Sequence, residues 1–405
     1  MKSDLGQYVE CEVVGRVMQM HEDLEPEVRA LISCAARSPD GANGLFRTLP
    51  GALNWAVLVD LAEREGMLPL LSRTVSQCLP PSLSVDVLRG IQIRDAAKAM
   101  RSLSMAGELA RLLRALEAAG LTPIAFKGPT LAHLLYGDLT LRDSTDLDIF
   151  VPRAQLTSAL KILTDDGYYK KTPGNNTWLT GACEVTLRRN NPACEVDLHW
   201  LFSPPYFLPP DTARALERSV MVRADGLTAR TLCPEDLLLY LSIHAARVGW
   251  PLRSICDIAA LTRNGSLNWD DVLRESQHGK CWRAVAVGLR LAASLCEVSL
   301  PPEVWKRVES DSAAASMAAD LAPKFRHGDG ASPDVLHGAI LHLRTMEGGW
   351  GKLRYLWRRT FQPNALDADF LSLPRKLSAA YYVVRPFRGA VLALGAIRRK
   401  WSVAK

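Results

Sequence analysis

The amino-acid sequence predicts an α+β protein, in which a small mixed sheet with helices is embedded in a largely α-helical chain. Apolar residues recur every three or four positions over the first 120 residues and again after residue 232. Between these helical stretches, residues 121–202 carry short β-rich runs bounded by glycine, asparagine and proline. The apolar fraction of 48% and the charged fraction of 23% are typical of a folded globular chain.

These patterns divide the 405 residues into four segments. They are an N-terminal helical region (1–120), an α+β core (121–232), a helical domain (233–342) and a basic helical tail (343–405). Pro204-Pro205 and Pro209-Pro210 mark the end of the strand-rich part of the core.

The elements of the core follow from local signals in chain order. "LTPIAF" is a short apolar run that predicts a strand, and "GPTLAHLLYG" predicts a helix with Pro129 in its first turn and Gly137 after its end. "LDIFV" predicts a second strand, and "RAQLTSALKILTDDG" predicts a helix that ends at Gly167. "ACEVTLRRNNPACEVDLHWLF" contains two strand-like runs separated by the turn signal Asn190-Asn191-Pro192.

The cysteines and the termini predict a cytoplasmic protein. Nine cysteines are scattered without a C-x-x-C pair, which excludes a zinc knuckle or a redox motif and favours a reducing compartment. The N-terminus lacks the apolar run of a secretory signal. No stretch reaches the 18 uninterrupted apolar residues of a membrane span.

Two carboxylates at the start of the "LDIFV" strand predict a metal site. Side chains two residues apart in a strand share a face, so Asp146 and Asp148 project together while Leu147 and Ile149 pack on the other side. Two close carboxylates repel each other unless a cation lies between them. A hard divalent ion, Mg²⁺ above all, is the simplest way to meet this need. A solvated strand end is the alternative interpretation.

Two further features belong with this pair. Asp197 lies within "CEVDLHW", where an adjacent strand could present it to the same metal. Lys127-Gly128 ends the first strand and opens a helix, whose free N–H groups and positive dipole end suit a phosphate. A solvent-facing acid and a plain turn are the alternatives for these two features.

The motifs together resemble a known family. K-G-P-T-L-A-x-x-L-Y, R-x-x-x-D-L-D-I-F-V and E-V-D-L-H-W are similar to an uncharacterised bacterial family of nucleotidyltransferases, and "IHAARVGWPLRSICDIAAL" is similar to its downstream helices. The order of strand, glycine turn, helix and carboxylate-bearing strands resembles the nucleotidyltransferase core of the DNA polymerase beta superfamily. Lys127-Gly128 stands where the superfamily usually has Gly-Ser or Gly-Gly, and the spacing from Gly128 to Asp146 is longer than in the polymerases.

The resemblance implies Mg-dependent transfer of an NMP from an NTP such as ATP to an acceptor hydroxyl, with release of pyrophosphate. Asp146 and Asp148 would hold two Mg²⁺ ions, with Mn²⁺ as a substitute, and Asp197 would bind the catalytic ion and orient or deprotonate the acceptor. The residues expected to bind the nucleotide are Lys127, Gly128, Thr130, Arg142 and Ser144. Arg142 and Ser144 could equally brace the turn before the Asp146 strand.

Four more residues are candidates for supporting roles. His199 lies on the face of Asp197 and could support that carboxylate, or it could be a structural histidine. His244, Arg247 and Arg253 belong to the downstream helices that match the family, which suggests that they cover the base or the acceptor. A polar seam between helices is the alternative for these three residues.

The basic tail differs from the rest of the chain in its net charge. Residues 343–405 hold thirteen Lys/Arg against three Asp/Glu, a net charge of +10, whereas the preceding 342 residues sum to −4. "WGKLRYLWRRTF" interleaves aromatic and basic residues, which suits RNA binding or an interfacial helix on an anionic membrane. The short apolar run 389–397 between arginines also suits peripheral membrane contact, and a solvated helix is the third interpretation.

Three classes of function follow for the whole chain. The first is nucleotidyl transfer to a small molecule, a peptide or a protein hydroxyl. The second is a toxin-like nucleotidyltransferase acting on tRNA or other RNA ends, which the acidic remainder of the chain disfavours. The third is a catalytically silent nucleotide-binding scaffold, which the intact set of three carboxylates disfavours.

Overall fold

A computed structural model gives the three-dimensional structure of the protein. It describes residues 24–35, 46, 53–171, 183–205, 207–208, 211–224, 226–326, 335–363, 367 and 370–391. The first 23 residues of the predicted N-terminal region lie outside the described residues. So do residues 392–405, which include most of the apolar run predicted to contact a membrane.

The N-terminal region is helical where it is described. Its helices are α1 (Pro26–Cys34), α2 (Trp55–Arg64), α3 (Leu68–Cys78) and α4 (Val85–Ala118). Helix α4 is 34 residues long and begins where the side chain of Ser84 accepts a hydrogen bond from the N–H of Val87. Its C-terminal half packs beneath the sheet through Leu109, Leu113 and Leu116.

The core is a five-stranded mixed sheet with helices. In chain order it contains β1 (Ile124–Ala125), α5 (Gly128–Tyr136), β2 (Leu147–Phe150), a 3₁₀ turn (Arg153–Gln155), α6 (Leu156–Asp165), β3 (Tyr169–Lys170), β4 (Glu184–Asn190) and β5 (Ala193–His199). The spatial order is β1-β2-β5-β4-β3, and all neighbours are antiparallel except β2 and β5. The α+β fold class predicted from the sequence is confirmed.

A second, two-stranded sheet follows the five-stranded sheet within the predicted core, and its residues were not predicted to form strands. Helix α7 (Thr212–Glu217) leads into β6 (Val220–Ala224) and β7 (Leu227–Thr231), which pair antiparallel. The Asp225-Gly226 dipeptide between the two runs is a hairpin signal that the sequence contained.

The remaining elements are helices. They are α8 (Pro234–Val248), α9 (Leu252–Arg263), α10 (Trp269–His278), α11 (Trp282–Cys296), α12 (Pro302–Ser310), α13 (Ser312–Arg326), α14 (Val335–Thr345) and α15 (Gly349–Phe361). A 3₁₀ turn (Arg375–Ala380) and helical residues 381–391 follow α15. None of the described helices has both the length and the apolar character needed to cross a bilayer.

Two hydrophobic clusters lie on opposite faces of the sheet. Leu147, Ile149 and Leu198 belong to the cluster formed with α4 and α6. Phe126 and Phe150 belong to the larger cluster, which continues into the N-terminal helices and into α8–α14. Because side chains alternate along a strand, Asp148 shares its face with Phe150 and is turned toward the helical side.

Candidate active site

The pairing of β2 with β5 brings two of the predicted carboxylates together. The strands are parallel, and their register places Asp148 directly beside Asp197. Leu147 and Leu198 point into the cluster beneath the sheet, so the alternation of each strand turns both acids to the other face. The ligand atoms of Asp148, Asp197 and His199 all lie within 4.8 Å of one another.

Asp148 is held by two donors that converge on one oxygen. The ammonium Nζ of Lys127 lies 2.8 Å from Oδ1, and Nε2 of His199 lies 3.0 Å from the same atom. Burial by itself would raise the pKa of Asp148, but the Lys127 charge and the His199 contact outweigh it and hold this pKa well below its ordinary value. The carboxylate is therefore ionised and can only accept, so Nε2 carries the proton of this hydrogen bond.

His199 was a candidate to support Asp197, with a structural histidine as the alternative, and its ring makes its hydrogen bond with Asp148 on the neighbouring strand. Its other nitrogen, Nδ1, lies 3.1 Å from Oε2 of Glu184 but off the direction of a hydrogen bond. The sequence reasoning used spacing along one strand and missed this contact, which depends on the partner strand.

The pKa values of Asp197 and Asp146 are shifted upward, in the direction opposite to that of Asp148. Thr186 on β4 donates a hydrogen bond of 2.6 Å to Oδ1 of Asp197. Burial raises the pKa of Asp197, and the nearby Asp148 raises it further against the opposing Thr186 bond. Burial and then Asp148 also raise the pKa of Asp146, which lies one residue before β2. A cation placed among these acids would relieve both effects.

A glycine in the left-handed region opens the helix beside the carboxylates. Gly128 is the first residue of α5 and has φ +57°, a conformation that other residues adopt at a cost. A Cβ at this position would lie 3.6 Å from the carbonyl oxygen of Asp146, so the turn packs on the carboxylate loop. Lys127 is the N-cap, and the first N–H groups of α5 have no partners within the helix.

Thr130, the other nucleotide-binding candidate in this turn, is fully buried. Its hydroxyl has no hydrogen-bond partner within the described part of the chain.

Arg142 and Ser144 occupy the loop before β2. Arg142 Nε donates to Oδ2 of Asp257 on α9 at 3.1 Å, and the Tyr136 hydroxyl donates to Oδ1 of the same acid at 3.1 Å. Ser144 Oγ donates to the carbonyl of Arg142 at 3.4 Å. These contacts match the bracing role predicted as one of two alternatives, although both residues also line the cleft described below.

Arg253 and His244 come from the helical side. Arg253 Nη2 donates to the carbonyl of Asp143 at 2.7 Å, while its Nε is buried with no hydrogen-bond partner in the described structure. Burial and then the nearby Arg142 charge lower the pKa of Arg253 to about 10. Burial and then Lys127 lower the pKa of His244 well below its ordinary value. Arg247 Nη2 lies 3.4 Å from Nδ1 of His244.

One cleft of about 400 Å³ brings most of the predicted residues together. Eight of them line it: Lys127, Gly128, Arg142, Ser144, Asp146, Asp148, His244 and Arg253. Asp197 and His199 contact Asp148 from the neighbouring strand, while Thr130 and Arg247 are not part of the described lining.

Other residues of the site were missed by the sequence reasoning. Arg64 and Glu65 of the N-terminal region also line the cleft, and Thr186 orients Asp197. No local sequence signal distinguishes Arg64 and Glu65 from ordinary residues at the end of an amphipathic helix.

The donor set fits a hard divalent cation. Carboxylate oxygens of Asp148 and Asp197 face each other, and Asp146 lies near enough for both to affect its pKa. Oxygen ligands of this kind suit Mg²⁺ or Mn²⁺, and the imidazole of His199 is compatible with Mn²⁺ as well.

A mixed sheet that sets carboxylates side by side, next to a glycine turn that opens a helix, is an arrangement suited to binding a metal ion and a phosphate. A sequence model of the family described as uncharacterised nucleotidyltransferase matches residues 51–297, which is more than half of the chain. The protein belongs to this family. The predicted enzyme class is thereby confirmed.

Two solved structures are similar over part of the chain. The antibiotic-resistance factor ANT(2'')-Ia aligns with 43% of this chain and 91% of its own, with 14% identity and a TM-score of 0.32. An antigenic nucleotidyltransferase-like protein from Paracoccidioides brasiliensis aligns with 57% of this chain and 95% of its own, with 15% identity and a TM-score of 0.31. TM-scores this low support no statement about substrate or site. No curated protein sequence matches the chain.

Proposed function

We propose that this nucleotidyltransferase transfers an NMP from an NTP to the hydroxyl of a small molecule, a peptide or a protein, and releases pyrophosphate. The observation that carries the proposal is the pairing of Asp148 with Asp197 across β2 and β5, at the edge of a cleft that also contains the start of α5. Carboxylates and a helix N-terminus are the two kinds of group that a metal-bound triphosphate requires.

Asp197 is the candidate base. The acceptor oxygen forms a bond to the α-phosphorus while the bond from this phosphorus to the bridging oxygen breaks, and pyrophosphate leaves with that electron pair. Asp197 takes the hydroxyl proton. Asp197 lies directly beside Asp148 at the cleft, where an acceptor hydroxyl could approach it. Thr186 fixes the carboxylate through its 2.6 Å hydrogen bond.

Asp146, Asp148 and Asp197 are the residues that would hold divalent metal, with Mg²⁺ as the expected ion and Mn²⁺ as its substitute. Bound there, the metal would neutralise the phosphate charge that develops during transfer. His199 orients Asp148 through its hydrogen bond to Oδ1. Lys127 neutralises the same carboxylate and, as the N-cap of α5, stands where a phosphate would approach.

Two further basic residues that line the cleft are suited to the rest of the triphosphate. Arg253 has a buried Nε without a partner among the described residues, and its lowered pKa shows that its charge is poorly compensated. An anion in the cleft would supply this compensation. Arg142 lines the same cleft and is held in place by Asp257.

We expect the reaction to take place in the cytoplasm. The expectation rests on the sequence, in which nine cysteines are scattered without a C-x-x-C pair. Transfer to RNA is the second candidate acceptor class, and the assay below includes it.

The experiment is to incubate the full-length protein with each α-labelled NTP, Mg²⁺ and a cell extract, and to ask which fraction becomes labelled. Label on small metabolites, peptides or proteins is the expected outcome. Label on tRNA or other RNA would replace the proposed acceptor with the toxin-like alternative. The same incubation with Mn²⁺ tests the substitute metal.

Two variants make the result specific. Asp197→Asn should lose transfer, whereas the matched control Asp165→Asn, which changes an exposed acid on α6, should retain it. Equal labelling by wild type and Asp197→Asn would contradict the proposed role of the carboxylates. No label from any NTP, with nucleotide binding intact, would favour a silent nucleotide-binding scaffold.

A further inference from the structure

The proposed catalytic site leaves the basic tail without a role. Two of its helical stretches, α15 and residues 381–391, belong to the described structure. Both show apolar side chains on the outside and polar or charged groups on the inside. This reverses the usual order of a helix on a protein surface.

Helix α15 attaches to the protein through one face. Tyr355 is fully buried, and its hydroxyl lies 2.9 Å from Nδ1 of His342 on α14. The opposite face carries Trp350, Leu353, Trp357 and Phe361, which follow helical spacing and are all exposed. Trp350 has 78% of its surface exposed to solvent.

In the helix at residues 381–391, two arginines face the protein and two large apolar side chains face the solvent. Asp367 has no exposed surface and accepts a 2.6 Å hydrogen bond from Nε of Arg388. Arg385 also turns inward and donates to the carbonyl of Arg359 at the end of α15. Val383 and Phe387, one turn apart, point outward with 72% and 62% of their surfaces exposed.

We call the exposed apolar residues of these two helices the outer face. The outer face consists of Trp350, Leu353, Trp357, Phe361, Val383 and Phe387. The two helices are joined by the hydrogen bonds from Arg385 to the carbonyl of Arg359. Large apolar side chains exposed to water at helical spacing are unfavourable and favour contact with an apolar partner.

Charge beside the outer face indicates what that partner is. Arg354 and Arg358 are one turn apart on α15 and follow the same edge of the apolar stripe. Arg354 is exposed and donates to the carbonyl of Pro205 at 2.7 Å, and Arg358 is half-buried. Burial and then Arg354 lower the pKa of Arg358, so an anion at this edge would stabilise both cations.

We propose that the outer face docks the protein on an anionic lipid bilayer. Tryptophan and phenylalanine would enter the interface between headgroups and acyl chains, and the arginines at the edge would meet lipid phosphates. RNA fits less well, because Leu353 and Val383 cannot stack on bases. In addition, Arg385 and Arg388 are turned into the protein, away from any phosphate backbone.

The test is flotation of the full-length protein with phosphatidylcholine vesicles and with vesicles that also contain phosphatidylserine. Binding is measured without nucleotide, so its outcome is independent of the proposed catalytic function. We expect flotation with the anionic vesicles, weakened by salt. The variant Trp350→Ser/Trp357→Ser/Phe387→Ser should reduce it at least about tenfold. Arg354→Gln/Arg358→Gln should weaken the preference for phosphatidylserine.

The matched control is Met100→Ser/Leu103→Ser, which removes two exposed apolar side chains from α4 and should leave flotation unchanged. An unchanged thermal unfolding midpoint in each variant confirms that the fold is retained. Wild-type protein that stays with neither vesicle would overturn the proposal, and so would a triple variant that floats as well as wild type. Loss of RNA binding or of a dimer in the triple variant, without vesicle binding by the wild type, would assign the outer face to that other partner.

Discussion

Asp148 is the residue at which the opposing charges of the site meet. Its Oδ1 accepts from Lys127 and from His199, and only 4% of the residue is exposed. Asp197, directly beside it on β5, is half-buried and has no such cationic partner among the residues that the structure describes. The two carboxylates therefore differ in what they do for the fold, although we assign both to the metal site.

This difference predicts that Asp148→Asn and Asp197→Asn lower the free energy of unfolding by different amounts. Asp148→Asn leaves the Lys127 ammonium buried without its counter-charge and should lower the free energy of unfolding by about 3–5 kcal/mol. Asp197→Asn keeps an oxygen that can accept from Thr186 and should cost about 1 kcal/mol or less. Nucleotide transfer should fall in both variants, by about 10²–10⁴ for Asp197→Asn.

Urea unfolding and the labelling assay measure these quantities separately. A large loss of stability in Asp197→Asn, or a fully stable Asp148→Asn, would show that the roles of the two carboxylates are reversed.

The shifted pKa values of the acids predict how pH affects metal binding. Burial and Asp148 raise the pKa of Asp146 and of Asp197, so ionising these groups destabilises the metal-free fold. Their contribution to stability is complete below the ordinary carboxyl pKa of about 3.9 and is lost as the pH rises through the raised values. Bound metal should restore this loss, because it favours the ionised form.

The increase in unfolding midpoint caused by Mg²⁺ or Mn²⁺ should therefore be small in acid and grow with pH. Thermal unfolding with metal or with a chelator, over a series of buffers, measures this increase. A metal effect that is constant over the whole pH range would contradict cation binding at these acids. In Asp165→Asn, the pH dependence should match that of wild type.

Single residues also show how far the sequence could predict the site. Asp146, Asp148 and Asp197 were predicted to share a site because alternation along a strand fixes the face of each side chain, and the structure places Asp148 beside Asp197. The partner of His199 was not found, because it lies across β2 and β5 and depends on register. Thr186 was missed for the same reason, since nothing in the sequence of β4 places it beside Asp197.

At the scale of elements, the start of α5 has a glycine in the left-handed region directly beside the carboxylates. Gly128 has φ +57°, and a Cβ there would make only ordinary contact with Asp146 at 3.6 Å. The cost of Gly128→Ala is therefore backbone strain rather than a clash, about 1–2 kcal/mol. The strain falls on the turn that presents the N–H groups, so nucleotide affinity should fall together with stability.

Gly137 provides the matched control at the other end of the same helix. It is the C-cap with φ +76°, and a Cβ there would meet nothing within 4 Å. Gly137→Ala should cost a similar free energy of unfolding but leave nucleotide affinity unchanged. Calorimetric titration gives the NTP affinity of each variant, and urea unfolding gives its stability. Equal NTP affinities in the two variants would show that the start of α5 does not bind phosphate.

The elements of the core were largely predictable, and their pairing was not. The strand at β2, the helix from Gly128 and the turn at Asn190-Asn191-Pro192 each have a local signal, and the structure contains all three. The parallel pairing of β2 with β5 depends on contacts about fifty residues apart, for which no local signal exists. The β6–β7 hairpin had a signal, Asp225-Gly226, that was not used.

At the scale of the whole molecule, the cleft lies where three regions of the chain meet. Glu65 comes from the end of α2, Asp143 from the loop before β2 and Arg253 from the start of α9. Arg253 joins them, since its side chain donates to the carbonyl of Asp143 and its backbone N–H donates to Glu65 at 3.4 Å. The predicted division at residues 120 and 232 stays a prediction, and it could not have indicated that the N-terminal region forms part of the wall.

Because Arg253 lines the cleft, we expect its replacement to weaken NTP binding. Replacement of a purely structural arginine would not have this effect. The charge of Arg253 is buried and poorly compensated, with a pKa lowered to about 10 by burial and by Arg142. Removing the side chain relieves this charge but also loses the hydrogen bond to the Asp143 carbonyl, so the two effects on the free energy of unfolding oppose each other. A hydrogen bond to a charged phosphate is worth about 1.5–3 kcal/mol. Arg253→Ala should therefore weaken NTP binding roughly tenfold to a hundredfold.

Arg247→Ala is the matched control, because this arginine on α8 lies 3.4 Å from His244 and is not part of the described lining of the cleft. Its NTP affinity should stay close to that of wild type. Calorimetric titration gives the affinities, and urea unfolding gives the stabilities of the same preparations. If Arg253→Ala lost stability and kept its affinity, the arginine would belong to a seam between helices. The triphosphate would then have to be held from the α5 side of the cleft alone.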